Sequence, residues 1–168
     1  METYIISTLV ENKPGVLQKV SSMFRSRGFN IDSISVGPIE SSDISRMTIT
    51  IKGDERTVDQ LVKQLKKLID VIEVNILDPK NTVYRELVLI KVNCKDTNDR
   101  NDVIIFSSIY NAKVVDVTKE SMIVELTGTP DKIDSFIELL KAYNIIELAR
   151  TGVTALARGN GNGTRGIY

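Results

Sequence analysis

The stretch ENKPGVLQKVSSMFRSRGFNID, Glu11 to Asp32, decides the fold. Before it, residues 3–10 (TYIISTLV) have the run of apolar and β-branched residues expected of a strand. Within it, Val16, Leu17, Val20, Met23 and Phe24 recur at i, i+3 and i+4, which predicts a helix over 14–27 with one apolar face. Pro14 suits the first helical turn, where its missing N–H costs nothing, and Gly28 suits the left-handed position that ends a helix. Residues 31–37 (IDSISVG) read as a second strand. The turn Asn12-Lys13-Pro14-Gly15-Val16-Leu17 can aim free backbone N–H groups at a small anion, although spacing alone is equally satisfied by an ordinary helix start.

Outward from this stretch the pattern continues. In residues 45–52, Met47, Ile49 and Ile51 alternate strictly with Arg46, Thr48, Thr50 and Lys52, as in a strand with one solvated face. Asp54 can cap a second helix whose stripe is Val58, Leu61, Val62, Leu65, Leu68 and Ile69, and residues 71–77 (VIEVNIL) close a β-α-β-β-α-β order. After the polar linker Asp78-Pro79-Lys80-Asn81-Thr82 the order repeats. It runs through a strand over 85–93, a helix over 98–110 with Val103, Ile104, Phe106 and Ile109 buried, a hairpin over 112–118 and 121–127, a helix starting at Thr129-Pro130-Asp131, and a strand over 145–149. The run Ile104-Ile105-Phe106 is also compatible with strand. The expected architecture is α+β, with two tandem ferredoxin-like (βαββαβ) modules over 1–78 and 85–158, a linker over 79–84 and a flexible tail over 159–168. Modules of roughly 75 residues have thin cores and free sheet edges, so a homodimer through the first module is expected.

Composition narrows the function classes. Lys+Arg and Asp+Glu both number 22 and aromatic residues make up 5%, so neither a basic face nor a set of stacking rings for nucleic acid is expected. No apolar run approaches the roughly 18–20 residues that span a bilayer, and the N-terminus shows no basic leader, so a cytoplasmic setting is expected. There is no histidine, which removes Ser-His and Cys-His nucleophiles and histidine-ligated metals. The single cysteine, Cys94, reads as a small strand residue, so no catalytic or metal-binding residue is expected. The acidic stretch Asp96–Asp102 lacks the glycine and closing glutamate of a calcium loop and reads as an exposed loop with a helix cap. Lys63, Lys66 and Lys67 read as a solvated helix face, and Gly159-Asn160-Gly161-Asn162-Gly163 has no helix after it to form a phosphate loop.

The segments ENKPGVLQKVSSMFRSRGFNIDSISVG, SRMTITIKGD and QLVKQLKKLIDVIEV, with RELVLIKV, IYNAKVVDVT and IELARTGVTALARG in the second half, resemble the small regulatory subunit family of acetolactate (acetohydroxyacid) synthase. The resemblance covers residues 3 to about 158 and implies that the first module is an ACT domain, a module that binds amino acids. It implies a non-catalytic chain that stimulates a large subunit and confers feedback inhibition by a branched-chain amino acid, valine foremost. Thiamine diphosphate, Mg2+ and FAD are expected in that large subunit, which condenses two pyruvates to 2-acetolactate and CO2, and no cofactor is expected in this chain. The effector is expected where two ACT modules meet: its carboxylate on the N–H groups of Gly15, Val16 and Leu17, its polar groups near Asn12 and Asn30, and its apolar side chain near Val16, Leu17 and Ile31. Gln18 departs from the small hydroxyl residue frequent in the family, and its length can narrow the pocket or shift effector preference. Two competing readings are an acylphosphatase, which needs an arginine-bearing glycine loop that Asn12-Lys13-Pro14-Gly15 does not supply, and a stand-alone amino-acid sensor without a catalytic partner.

Overall fold

A computed structural model describes residues 2–159. The described residues form two compact units, 2–84 with 152–159, and Arg85–Thr151. The tail expected over 159–168 lies, apart from Gly159, outside the described residues. The linker expected over 79–84 forms a short 3-10 turn, Pro79–Asn81, and the first residues of the next strand.

The first unit runs β1 (Glu2–Glu11), α1 (Val16–Ser26), β2 (Ser33–Pro38), β3 (Ile44–Gly53), α2 (Glu55–Leu65) and β4 (Val71–Leu77). Its antiparallel sheet has the order β2-β3-β1-β4. The period-two pattern of β3 places Met47, Ile49 and Ile51 on the helix side, with Tyr4, Ile6 and Val10 of β1 and Val74 and Ile76 of β4. The helices complete this core with Val16, Val20 and Phe24 from α1 and Val58, Leu61 and Leu65 from α2. The carboxylate of Asp54 accepts the N–H of Thr57 at 2.8 Å and caps α2, as its sequence position predicts.

Three local expectations are corrected. The helix begins at Val16, because Gly15 sits outside it at φ +86°; Pro14 therefore belongs to the preceding turn. Leu17, one position past the buried line of Val16, Val20 and Phe24, is 47% exposed. Ile69 is 91% exposed, because α2 stops at Leu65 and the chain turns before the next strand.

The strand β5 (Thr82–Asn93) starts in the first unit and continues into the second, which goes on through α3 (Thr97–Tyr110), β6 (Lys113–Val117), β7 (Ser121–Gly128), α4 (Pro130–Leu140) and β8 (Ile145–Arg150). Its sheet has the order β6-β7-β5-β8. Val88, Ile90, Val92, Met122, Val124 and Leu126 meet Val103, Ile133, Phe136 and Leu140 of the helices. The segment 98–110 is helix, capped by Asp96, whose carboxylate accepts the N–H of Asp99 at 2.9 Å. Its inner line is Val103, Phe106, Ser107 and Tyr110, so Ile104 and Ile109, expected inside, face out; Ile109 is 67% exposed. Cys94 is buried, and that burial pushes its thiol above the usual cysteine range. Arg150 links Glu86 and Asp134, its Nε 2.6 Å from Glu86 Oε2 and its Nη1 2.6 Å from Asp134 Oδ1.

An additional strand, β9 (Thr154–Ala157), pairs with β5. Residues 152–157 belong to the first unit and form a strap over the outer face of its sheet. Val153 and Ala155 are buried there against Ile5 and Leu77, and the Val153 N–H donates to Ser33 Oγ at 3.3 Å. Gly152 makes the strap possible: a Cβ at that position would stand 2.4 Å from the Ile34 carbonyl oxygen. Among the described residues no helix is long and apolar enough to cross a membrane.

Candidate functional site

The β1–α1 turn is held by backbone and amide hydrogen bonds that leave the start of the helix open. The Asn12 N–H donates to Asp43 O at 2.8 Å and its Nδ2 donates to Ser42 O at 2.7 Å. Asn12 therefore clamps the turn to the β2–β3 connection, and it still offers its second Nδ2–H and its Oδ1, the latter an acceptor suited to an ammonium. The left-handed Gly15 then swings the chain into α1 without the penalty a Cβ would bring. The Val16 N–H reaches Lys13 O at 3.4 Å and the Lys19 N–H closes on Gly15 O at 3.0 Å. No acceptor among the described residues meets the N–H groups of Gly15 and Leu17, which point out at the positive end of the helix dipole.

The charges around the turn are already compensated. Lys13 Nζ lies 2.8 Å from Glu11 Oε2, and this hydrogen bond and charge hold the ammonium above the usual lysine range. Lys19 Nζ lies 2.6 Å from Asp70 Oδ2. What remains for an incoming carboxylate is the backbone itself. Gly15 and Leu17 are exposed, while Val16 is buried in the core and can contribute only its N–H and the edge of its side chain.

Asn30 and Ile31 lie elsewhere. With Phe24, Arg25, Gly28 and Phe29 they line a shallow groove at the far end of α1. The register explains the separation: Ser33 of β2 pairs with Thr50, which is level with Ile5, whereas Glu11 pairs with Ile44. The eleven residues of α1, at ~1.5 Å per residue, put about 16 Å between the two groups. Within one module the structure brings Asn12, Gly15, Val16 and Leu17 together, and it brings Asn30 and Ile31 together, but not the two groups. The chain direction of a β-α-β unit, in which the helix runs back along the sheet, was the signal in the sequence for this separation.

Among the described residues no group of three or more Cys, Asp or Glu is placed to hold a metal ion.

Comparisons with known proteins agree over both modules. Residues 6–73 match the family described as AHAS small subunit-like ACT domain, and residues 85–159 match the family described as small subunit of acetolactate synthase. A probable acetolactate synthase small subunit of Methanothermobacter thermautotrophicus is 50% identical over 159 residues, covering 95% of both chains. The acetolactate synthase small subunit of Mycolicibacterium smegmatis is 46% identical over 157 residues, 94% of this chain and 92% of that one. The crystal structure of the acetolactate synthase small subunit from Thermotoga maritima superposes with a TM-score of 0.89 at 42% identity, over 96% of this chain and 100% of that one. Two ferredoxin-like modules in tandem, the first of ACT type, and relatedness of this extent place the chain in one family: it belongs to the small, regulatory and non-catalytic subunits of acetolactate synthase.

Proposed function

We propose that this chain stimulates a thiamine-diphosphate-dependent large subunit, which also uses Mg2+ and FAD and converts two pyruvates to 2-acetolactate and CO2. We propose further that it makes that activity sensitive to a branched-chain amino acid, valine foremost. The effector carboxylate sits on the N–H groups of Gly15, Val16 and Leu17, and its ammonium meets Asn12 Oδ1. Asn30 and Ile31 then come from a second copy. The single observation that carries this reading is the roughly 16 Å between the two residue groups along α1. One small molecule cannot touch both ends of the helix in one module. Two modules related by a two-fold axis with their α1 helices antiparallel bring the turn of one beside the groove of the other. Binding at such a junction stabilises one arrangement of the two chains, which is what allosteric control of a partner requires.

The experiment is to reconstitute the cognate large subunit with and without this chain and to titrate valine. Stimulation followed by valine inhibition is expected. Gly15→Asp should keep the stimulation and lose the inhibition, because a carboxylate then stands where the effector's own would sit. An inhibitable Gly15→Asp complex would refute the site, and no stimulation by wild-type chain would refute the partnership.

A further inference from the structure

The outer face of the first sheet, away from the helices, carries a second cluster of unused hydrogen-bond donors. The registers arrange this face in rows: Ser33, Thr50, Ile5 and Leu77; then Ser35, Thr48, Ser7 and Asn75; then Gly37, Arg46, Leu9 and Glu73. The strap of residues 152–157 covers the first row. Between the strap and the edge strand β2 a groove stays open, lined by Ser35, Gly37, Arg46 and Thr48 on the sheet, and by Ala155 and Leu156 on the strap.

Its polar floor is not satisfied by the protein. Arg46 is half-buried, and its Nη1 donates to Ser7 Oγ at 2.7 Å. It makes no ion pair among the described residues; Glu73, the acid of its own row, instead takes the amide of Asn75. Thr48 is 2% exposed, yet its hydroxyl has no hydrogen-bond partner among the described residues. No fully enclosed side-chain oxygen lacks a partner, so this hydroxyl must open into the groove. Ser35, directly across from Thr48, likewise has no side-chain partner. Across from Arg46 stands Gly37, where a Cβ would meet nothing within 4 Å, so the groove is open over β2 at that row. A guanidinium and two hydroxyls that line one groove from adjacent strands match a carboxylate, and the apolar wall of Ala155 and Leu156 matches a short hydrocarbon chain.

We propose that this groove is a second ligand site, distinct from the Gly15 turn, for a small carboxylate bearing a short apolar chain. The carboxylate lies on Arg46, Thr48 and Ser35, and the chain lies along the strap. Glu40 also lines the groove and is exposed at its rim. Its charge favours an acid that carries an ammonium beside its carboxylate over one that does not.

The test is nuclear magnetic resonance of the full 15N-labelled Gly15→Asp chain, so that the turn cannot report. The probes are leucine, isovalerate and, as the uncharged control, isovaleramide. Leucine or isovalerate should shift the amides of Gly37, Thr48 and Ala155 saturably, with leucine the tighter of the two, and isovaleramide should bind about tenfold or more weakly. Arg46→Gln should weaken the carboxylate probes by about tenfold or more, and Gly37→Val should abolish binding by filling the groove. The Gly37→Val change meets open space and a backbone that any residue adopts, so an unchanged spectrum elsewhere certifies its fold. Absence of saturable shifts with both acids, equal binding of isovaleramide, or undiminished binding to Arg46→Gln would each overturn the proposal. Because the turn is blocked throughout, none of these results bears on the Gly15 site.

Discussion

Gly152→Ala tests whether the strap is held to the first module as tightly as the backbone contact implies. The added Cβ would stand 2.4 Å from the Ile34 carbonyl oxygen, 2.6 Å from its carbon and 3.0 Å from its nitrogen. These are backbone atoms of a paired strand, so no side-chain rotation relieves the contact. Ordinary contact begins near 3.4 Å, so the strap or β2 must move by about 1 Å. A shift of that kind costs about 1–3 kcal/mol. The ceiling is full detachment, which exposes Val153 and Ala155 and removes the hydrogen bond to Ser33, about 4 kcal/mol in all. We expect a loss of about 2 kcal/mol, seen as a fall in Tm of about 4–8 °C. Amide exchange should localise it, with Val153–Ala157 losing protection while the helix-side core keeps its own. Gly53→Ala is the control, since its Cβ would meet only side-chain carbons at 3.6 Å and beyond. If Gly152→Ala is no more destabilising than Gly53→Ala and protection of 153–157 is unchanged, the strap does not depend on this close approach.

Four further outcomes are expected. Arg150→Met should destabilise the second unit by about 2–3 kcal/mol, because it strands the buried Glu86 carboxylate; Arg150 keeps some solvent contact, so the loss stays below that of a fully buried pair, and a denaturation midpoint equal to wild type would contradict it. The Asp54 carboxyl is held below the usual range by hydrogen bonds from the Thr57 N–H and hydroxyl. Its contribution is present above the unfolded-state carboxylate pKa and is lost as pH falls through the lower folded value, so Asp54→Asn should flatten the acid limb of the stability profile and leave the neutral plateau nearly unchanged. Cys94, with its thiol pushed up by burial, should alkylate at neutral pH only as fast as the chain opens; rapid labelling of folded protein by iodoacetamide would contradict its placement. Asn12→Ala should weaken effector inhibition, since it frees the β2–β3 connection from the turn and removes Oδ1; titration calorimetry with valine, leucine and isoleucine reads the change, and unaltered affinity would count against its role.

The sequence made the modules legible because their signals are local. The alternation in β3, the left-handed Gly28 and the cap at Asp54 each act within a few residues, and each stands where its residue type predicts. The start of α1 was less so, because Pro14 fits a first helical turn and Gly15 fits a turn before it; the positive φ of Gly15 decides between them. In α3 two apolar lines compete, and the sheet takes Val103, Phe106, Ser107 and Tyr110 although Ile104 and Ile109 are more hydrophobic. That choice follows from where the helix enters after Asp96, not from hydropathy. The candidate turn was visible as residues, but its distance from Asn30 emerges only once strand direction and helix length are laid end to end. The strap was least legible: Thr154–Ala157 is short and mild in composition, and its destination is set by contacts with Ile5 and Leu77, remote in sequence.

That strap gives the chain an unusual order of assembly. The first module is discontinuous, with the whole of Arg85–Thr151 inserted before its final segment. During synthesis the helix-side core can form as soon as β4 is out, but the opposite face must wait for residues 152–157 to leave the ribosome. Until then Ile5 and Leu77 stand uncovered on the nascent chain. A pause late in translation would therefore prolong exposure of the module made first, and a chaperone acting on this protein would find its target near the N-terminus while the C-terminus was still being made.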